Sequence, residues 1–339
     1  MATIYVAMDE QLLVLTGGDD GWRADQRLEA LRPGCLAVDP HDPQRVWCGT
    51  GAGVWRTLDG GVSWQPSGLR DAVVSAIAVS PNEGTGDQPA VYAGTDPTAL
   101  YRTDDGGGTW EELAALLALP SAPTWSFPPR PDTSHVRWIA PDPAAAGRVY
   151  VCVEAGALVR SLDGGRTWLD RTADGPYDTH TLGVHPLAPG RLYSAAGDGF
   201  GTPGRGYNES PDGGDAWTHP DDGIRHHYLY GLAVDSGDPD TVVVSAATSP
   251  RAAHDASFAE STAYRRSGDE PWREIREGLP DRKGMTRLMF ASGANEPGVF
   301  YAASNRGVFR SADAGLTWGA LPLPSSYRTR SVQAVAATG

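Results

Sequence analysis

The sequence predicts an all-β chain made of seven similar units, and three observations support this prediction. A short motif that contains aspartate and glycine and ends in tryptophan recurs along the whole chain. The chain holds 42 glycines and 27 prolines among its 339 residues, which is typical of many turns between short strands. Between the motifs, apolar and β-branched residues occur in short runs of strand length.

The repeated motif runs from serine or threonine, through aspartate and glycine, to tryptophan. Well-formed copies occupy 56–64, 102–110, 160–168, 209–217 and 310–318. Degenerate copies at 16–22 and 267–272 bring the number of units to seven. The tryptophans that end the copies are Trp22, Trp64, Trp110, Trp168, Trp217, Trp272 and Trp318. Self-similarity at a period of about 50 residues indicates a repeat architecture.

Each unit carries about four strand-like runs, which is the pattern of a propeller blade. The first unit lacks an inner run before its strand at 3–6, and the tail at 330–337 is an inner run with no blade after it. Joining the two ends closes the ring and removes a free sheet edge. The sequence therefore predicts one domain over 1–339, a seven-bladed β-propeller of four-stranded antiparallel blades, closed by the C-terminal strand in the N-terminal blade.

The motif S/T-x-D-x-G-x-T/S-W resembles that of the Asp-box or BNR-repeat propellers, over essentially the whole chain. That superfamily includes sialidases, xyloglucan-active glycosidases, sortilin-type receptor domains and photosystem II assembly factors. The resemblance implies the propeller fold and either a glycosidase-like enzyme or a scaffold. The Arg-Ile-Pro of sialidases does not occur in this sequence. The xyloglucanase-type enzymes place their catalytic pair between two propellers, whereas this chain predicts one.

The aspartates of the motif are predicted to be structural. Each carboxylate can accept backbone N–H groups across a tight turn, and the glycines allow positive φ. The resemblance implies that these turns lie on the face opposite the ligand pocket. The spacing lacks the alternating acids and the distal glutamate of a calcium loop. The residues concerned are Asp59, Asp105, Asp163, Asp212 and Asp313.

Composition excludes some classes of partner. The chain has 28 basic and 42 acidic residues, a net charge of −14, which argues against nucleic acid and acidic membrane surfaces. No apolar run approaches the ~20 residues that span a bilayer. The start of the chain has no charged region or cleavage site typical of an export signal, so we expect a cytoplasmic protein. Cys35, Cys48 and Cys152 lack metal-site spacing and are expected to be buried thiols.

Three loops are long for a propeller, at 114–137, 197–209 and 247–263. Long loops on a rigid scaffold commonly carry function. The loops and the starts of the inner strands hold five of the eight histidines and many of the cations, so we expect a cationic collar around the channel mouth. Its members are His135, His180, His226, His227, His254, Arg137, Arg225, Arg251, Arg282, Lys283, Arg287, Arg328 and Arg330.

Three interpretations of this collar remain open. His135, His180 and His227 come from consecutive blades and could bind one divalent metal, zinc or manganese, that activates water. Alternatively Arg137 and Arg287 clamp an anion while His180 or Tyr230 transfers a proton. In the third interpretation these are rim residues, each paired locally. The candidate catalytic residues are His180, Tyr230 and Arg137, and the candidate ligand-binding residues are Arg225, Arg287, His226, Trp125 and His254.

Two classes of function follow. The first is a hydrolase or lyase that acts on a small anionic or carbohydrate-like ligand at the channel mouth. A two-carboxylate glycosidase could draw on the loop acids Asp132, Asp178, Glu209, Asp255 and Glu260. The second is a non-catalytic propeller that holds a protein partner on an arginine-bearing face. Trp125 and Phe258 can supply apolar lids to a closed pocket, which favours the enzyme.

Overall fold

The strands of this protein form seven antiparallel sheets, and the chain is a seven-bladed β-propeller as its repeats predict. The structure is a computed structural model that describes residues 2–18, 21–293, 295–323 and 329–339. Asp19 of the first motif and Arg328 of the predicted collar lie outside the described residues.

The first three blades each contain four strands. Blade 1 comprises β1 (Ala2–Met8), β2 (Leu12–Gly18) and β3 (Gly21–Arg27), with a fourth strand from the C-terminus. Blade 2 comprises β4 (Cys35–Val38), β5 (Val46–Thr50), β6 (Gly53–Thr57) and β7 (Gln65–Pro66). Blade 3 comprises β8 (Val73–Thr85), β9 (Gln88–Asp96), β10 (Leu100–Thr103) and β11 (Glu111–Glu112).

The remaining blades follow in chain order. Blade 4 comprises β12 (Val136–Pro141), β13 (Val149–Val153) and β14 (Ala157–Ser161), and blade 5 comprises β15 (Thr179–Val184), β16 (Leu192–Ala196) and β17 (Tyr207–Ser210). Blade 6 comprises β18 (Tyr228–Val234), β19 (Thr241–Ala247), β20 (Ser261–Ser267) and β21 (Arg273–Glu274). Blade 7 comprises β22 (Met289–Ser292), β23 (Phe300–Ser304), β24 (Gly307–Ser311) and β25 (Gly319–Ala320), and the chain ends in β26 (Val332–Thr338).

The outermost strands of blades 4 and 5 are shorter than the repeats predict. Each is reduced to a single bridge, between Arg160 and Leu169 in blade 4 and between Glu209 and Thr218 in blade 5. In blade 4 the next residue, Asp170, accepts hydrogen bonds from Ser121 of the long loop. In blade 5 the strand runs into a proline two residues after the bridge, and proline cannot donate to a ladder.

The C-terminal strand closes blade 1 as predicted. Strand β26 pairs antiparallel with β1, from Thr3 opposite Thr338 to Met8 opposite Val332. The chain ends therefore share one sheet, and truncating β26 would expose the edge of β1.

The motif turns are held by the same hydrogen bonds in several blades. In blade 2, Asp59 accepts from Thr57 Oγ1 at 2.7 Å and from the Ser63 backbone N–H at 2.9 Å. Thr57 Oγ1 in turn accepts from the Gly61 N–H at 2.9 Å. The hydrogen bond from the Ser63 hydroxyl, with these others, lowers the pKa of Asp59 to about 2. The same pattern occurs around Asp105, Asp163, Asp212 and Asp313, so the carboxylates serve the turns.

An arginine at the start of the motif, or two residues before it in blade 6, joins neighbouring blades. Its guanidinium donates to a backbone carbonyl in the motif turn of the next blade. The pairs are Arg56 with Gly106 at 2.6 Å, Arg102 with Gly164 at 3.3 Å, Arg160 with Gly213 at 2.6 Å and Arg265 with Ala314 at 2.6 Å. The arginine that opens the motif in blades 2, 3 and 4 is thus a contact between blades.

Packing divides the chain into two compact units. The central unit comprises Leu31–Ser194 and Asn208–Thr218, and the terminal unit comprises the described residues of 1–30, Ala195–Tyr207 and His219–Gly339. In the central unit the inner strands β4, β8, β12 and β15 lie side by side in chain order. In the terminal unit β18, β22 and β26 do the same.

The long loops carry the short helices of the chain. Helix α1 (Asp198–Gly201) lies in the second long loop, and α2 (Pro250–His254) lies in the third. Within the described residues, no helix has the length and apolar character needed to cross a membrane. The three cysteines are buried and unpaired, as predicted, and burial raises the pKa of Cys35 to about 12.

Candidate functional site

Five charged or titratable side chains meet at the inner edge of blades 4 and 5, in the central unit. We call this group the carboxylate–imidazole cluster, and its members are His135, Arg137, Glu154, Asp178 and His180. His135 and Arg137 lie at the start of β12, and Glu154 follows β13. Asp178 precedes β15, and His180 is its second residue. Adjacent inner strands therefore bring residues from three segments of the chain together.

Glu154 lies at the centre of this cluster. His135 Nε2 donates to Glu154 Oε2 at 2.9 Å, and Arg137 Nε lies 3.7 Å from the same oxygen. The other carboxylate oxygen, Oε1, lies 3.8 Å from His180 Nε2. Asp178 Oδ2 approaches the same imidazole nitrogen at 3.6 Å. His180 thus lies between two carboxylates.

The environment keeps Glu154 ionised. Burial by itself would raise its pKa, but the hydrogen bond from His135 and the charges of His180 and Arg137 outweigh burial and lower the pKa to about 2. The Glu154 side chain is 12% exposed and that of Asp178 22%, whereas His180 is 1% exposed. A ligand would reach the cluster from the side of Asp178.

Local backbone geometry positions both acids. The turn after β13 places Ala155 at a φ of 49°, a left-handed conformation that is unusual for alanine. Asp178 Oδ1 accepts the Ala155 N–H at 2.8 Å and so holds this turn. The acid that contacts His180 therefore also fixes the residue next to Glu154. Strained residues that neighbours hold in place often occur at functional sites.

Several inner strands have a β-bulge at the position that the sequence alignment of the blades places at the channel mouth. The ladder between β12 and β13 shifts at Arg137, and that between β18 and β19 shifts across Tyr230. The same irregularity occurs at Ser75 in β8 and at Gln333 in β26. A bulge re-aims the side chain of the extra residue and is common beside active sites.

The cluster contains a possible set of metal ligands. Ligand atoms of Glu154, Asp178 and His180 all lie within 4.8 Å of one another. One imidazole and two carboxylates suit a divalent cation with an open coordination position. The nearby guanidinium of Arg137 opposes a second cation. The predicted trio of His135, His180 and His227 shares one residue with this set and stays a prediction.

A second group of predicted residues meets in the terminal unit. Arg287 Cζ lies 4.5 Å from the centre of the Tyr230 ring, and His254 packs edge-on against that ring at 4.9 Å. Tyr228 Oη lies 3.1 Å from His254 Nε2. Arg287 Nη2 donates to Gln333 Oε1 at 3.1 Å. We call this group, Tyr228, Tyr230, His254, Arg287 and Gln333, the arginine–aromatic cluster.

Other predicted ligand-binding residues have local partners. His226 Nδ1 lies 2.6 Å from Tyr264 Oη, and burial lowers the His226 pKa. Arg225 lines a cavity of about 470 Å³ beside the same tyrosine. Trp125 is 7% exposed, packs in the core of blade 4 and donates its indole N–H to Ser121 Oγ at 3.0 Å. Trp125 therefore anchors the long loop from inside.

Sequence reasoning did not select Glu154. The residue directly follows the run that forms β13, where the equivalent end of β5 is followed by Gly51. The signal that could have revealed it was an acidic residue directly after the apolar run of β13. Its partners are 19 residues away at His135 and 26 residues away at His180, so only the folded chain reveals the group.

Comparison with known proteins agrees with a propeller fold. No family model matches the sequence. The chain is 29% identical over 294 residues to a xyloglucanase from Paenibacillus sp., and the alignment covers 73% of this chain and 27% of the relative. The chain therefore spans about a quarter of that enzyme's length.

Solved structures show the same fold. A GH74 xyloglucanase from Xanthomonas campestris superposes with a TM-score of 0.68 at 17% identity, covering 94% of this chain and 52% of the enzyme. The protein YCF48, bound to a D1 peptide, superposes with a TM-score of 0.60 at 18% identity, covering 90% of this chain and 87% of YCF48. The fold is thus shared by a carbohydrate-acting enzyme and a peptide-binding protein.

Proposed function

We propose that this protein is a glycosidase-like hydrolase that acts on a carbohydrate or carbohydrate-like ligand at the carboxylate–imidazole cluster. The observation that carries the proposal is the pair of carboxylates, Glu154 and Asp178, grouped within 4.8 Å around the imidazole of His180. Cleavage of a glycosidic bond ordinarily uses two carboxyl groups that flank it. The 29% identity to a xyloglucanase supports the same substrate class.

Glu154 has the properties of the permanently ionised partner. With a pKa of about 2 it is a carboxylate throughout the neutral range, so it suits a nucleophile or a stabiliser of positive charge at the anomeric carbon. The hydrogen bond from His135 holds one oxygen and leaves Oε1 on the side of His180. Because this carboxylate is already held in place in a largely buried site, little free energy is spent on reorienting it as the transition state forms.

Asp178 and His180 suit proton transfer. Asp178 is the more exposed of the two acids, and its Oδ2 lies 3.6 Å from His180 Nε2. A proton could pass between these groups as the leaving oxygen is protonated and water is later activated. Retaining enzymes separate their carboxyls by ~5 to 5.5 Å and inverting enzymes by ~6.5 to 9.5 Å. Ligand atoms at most 4.8 Å apart favour retention of configuration.

The test measures reducing ends released from xyloglucan and from neutral and acidic oligosaccharides. We expect Glu154→Gln and Asp178→Asn to lower kcat by about 100-fold or more, since each removes a reacting carboxyl. Asp174→Asn, an exposed acid on the same loop, should retain the wild-type rate. Folding of each variant is checked by circular dichroism. Unchanged rates in both active-site variants, or no turnover of any substrate by the wild type, would contradict the proposal.

The same assay separates direct carboxylate chemistry from the metal-assisted version. We propose the direct version, because His135 and Arg137 already compensate Glu154. Activity should then survive EDTA. Activity that EDTA abolishes and that zinc or manganese restores, with metal content lost in His180→Ala, would instead support a metal held by Glu154, Asp178 and His180.

A second candidate is a non-catalytic propeller that binds a protein segment. The match in length favours it, since this chain covers 87% of YCF48 but 52% of the Xanthomonas xyloglucanase. In that case no glycan would be cleaved, and an extended peptide would bind with an affinity that is insensitive to Glu154→Gln. Turnover in the glycan assay would rule this candidate out.

A further inference from the structure

A buried guanidinium in the terminal unit has no acidic partner among the residues that the structure describes. Arg287 is 7% exposed, and among the described residues no carboxylate lies within ion-pair distance of its nitrogens. Its Nη2 donates to the Val332 carbonyl at 3.2 Å and to Gln333 Oε1 at 3.1 Å. Its Nε has no hydrogen-bond partner in the part of the chain that the structure describes.

This arrangement costs free energy unless a ligand completes it. A carbonyl and a neutral amide accept hydrogen bonds but do not neutralise the charge, and a buried charge without a counter-ion is unfavourable. An N–H left without an acceptor adds a further penalty. Such a group is retained where it has a role, because natural chains depart from good local packing mainly at functional sites.

The backbone around Arg287 is held firmly. The Arg287 N–H donates to the Ala253 carbonyl at 2.9 Å, and the Leu288 N–H donates to Ser245 Oγ at 2.9 Å. One residue earlier, the Thr286 N–H donates to Asn305 Oδ1 at 2.9 Å. These contacts fix the backbone at Arg287, and the bonds of Nη2 to Val332 and Gln333 fix the guanidinium itself, so its position is preorganised for a ligand.

The neighbours of Arg287 are aromatic and polar but carry little negative charge. The Tyr230 ring lies under the guanidinium, and His254 and Tyr228 contact each other beside it. Asp9 accepts from Gln333 Nε2 at 2.7 Å, which turns the amide oxygen of Gln333 towards Arg287. The neutral amide of Gln333 therefore stands between Asp9 and Arg287, and the carboxylate of Asp9 does not pair with the guanidinium.

We propose that Arg287 binds the oxyanion of a small ligand through the guanidinium, with the rings of Tyr230 and His254 beside the body of the ligand. The oxyanion is a carboxylate or a phosphate, both of which guanidinium groups bind strongly. The site uses none of the residues of the carboxylate–imidazole cluster. The inference therefore stands whether or not the chain hydrolyses glycans.

The test compares ligands that differ in charge. Binding of D-glucuronate, D-glucose and inorganic phosphate to the full chain is measured by calorimetry and by the shift in Tm. Glucuronate and glucose differ only at C6, where glucuronate has a carboxylate, so the pair measures the effect of the charge. We expect glucuronate or phosphate to bind and glucose not to bind. Binding of glucuronate alone identifies a carboxylate site, and binding of phosphate alone identifies a phosphate site.

Substitutions at Arg287 test whether the oxyanion binds to this residue. Arg287→Gln should weaken oxyanion binding at least about tenfold, because it removes a charge-assisted hydrogen bond. Arg273→Gln, which removes a guanidinium 77% exposed at the surface, should bind as the wild type does. If Arg287→Gln does not fold, Arg287→Lys replaces it and should also weaken binding, since lysine keeps the charge but lacks the planar guanidinium that binds an oxyanion with two N–H groups.

Three results would overturn the proposal. The first is no binding of either oxyanion at ~50 mM, where even a weak charge-assisted site is measurably occupied. The second is equal binding of glucose and glucuronate. The third is full oxyanion affinity in the Arg287 variant that folds. None of these results depends on glycan turnover, so failure of this inference and failure of the proposed hydrolase can be told apart.

Discussion

Glu154→Gln is the most informative single substitution in this chain. Glutamine preserves the shape of the side chain and removes one buried negative charge. That charge accepts from His135 at 2.9 Å and lies 3.7 Å from Arg137 and 3.8 Å from His180. The variant should therefore lose stability as well as any activity, because three positively polarised partners lose their carboxylate.

The magnitude follows from the pKa. Folding lowers the Glu154 pKa from 4.5 to about 2, which corresponds to about 3 kcal/mol of stabilisation at neutral pH. Because the folded pKa is the lower one, this stabilisation is present above about pH 4.5 and is lost as the pH falls towards 2. With an unfolding entropy of about 2 cal/mol/K per residue, the variant should melt about 4 °C below the wild type at pH 7.

Calorimetry of wild type and variant between pH 7 and 3 checks this prediction. The difference in Tm should be largest at pH 7 and should shrink as the pH falls. Glu270→Gln, whose side chain is 59% exposed, is the control and should melt with the wild type throughout. A Tm difference that is absent at pH 7, or that stays constant down to pH 3, would show that the Glu154 charge does not stabilise the fold in the way its contacts indicate.

Three further predictions concern the propeller itself. Removal of 331–339 strips β26 from blade 1 and should yield insoluble or unfolded protein, as judged by circular dichroism, whereas a soluble cooperative fold would contradict closure by this strand. Asp163→Ala should cost about 1 to 2 kcal/mol in urea denaturation, because it removes the acceptor of the Thr167 N–H and hydroxyl, with Asp215→Ala as a milder comparison. Arg160→Met should lower stability by about 1 kcal/mol by removing the bond to the next blade, and a neutral effect would show that this contact adds nothing.

Much of the candidate site could be anticipated from the sequence, but its pairings could not. The alignment of inner strands selected Arg137, His180 and Tyr230, and the ladder shifts at Arg137 and across Tyr230. The alignment could not reveal those bulges, because a bulge is defined by the register of the partner strand. It also could not reveal that Arg137 and His180 share Glu154, which no repeated pattern marks.

Trp125 illustrates a different limit. As a large aromatic side chain in a long loop, it fitted a ligand-binding lid. In the folded chain its indole is buried under that loop, and its N–H donates to Ser121. Whether an aromatic residue in a loop points outward or inward depends on the packing beneath the loop, which composition does not encode.

The sequence by itself determined the number of blades, the place of each motif turn and the closure of the ring, because these follow from local patterns repeated at a regular period. Only the tertiary structure decided which charges meet. Glu154 is compensated by residues from two other segments of the chain, whereas among the described residues no carboxylate lies within ion-pair distance of the buried Arg287. The free energy of a buried charge depends on distances of a few ångströms between segments far apart in the chain. Those distances exist only once the inner strands lie side by side.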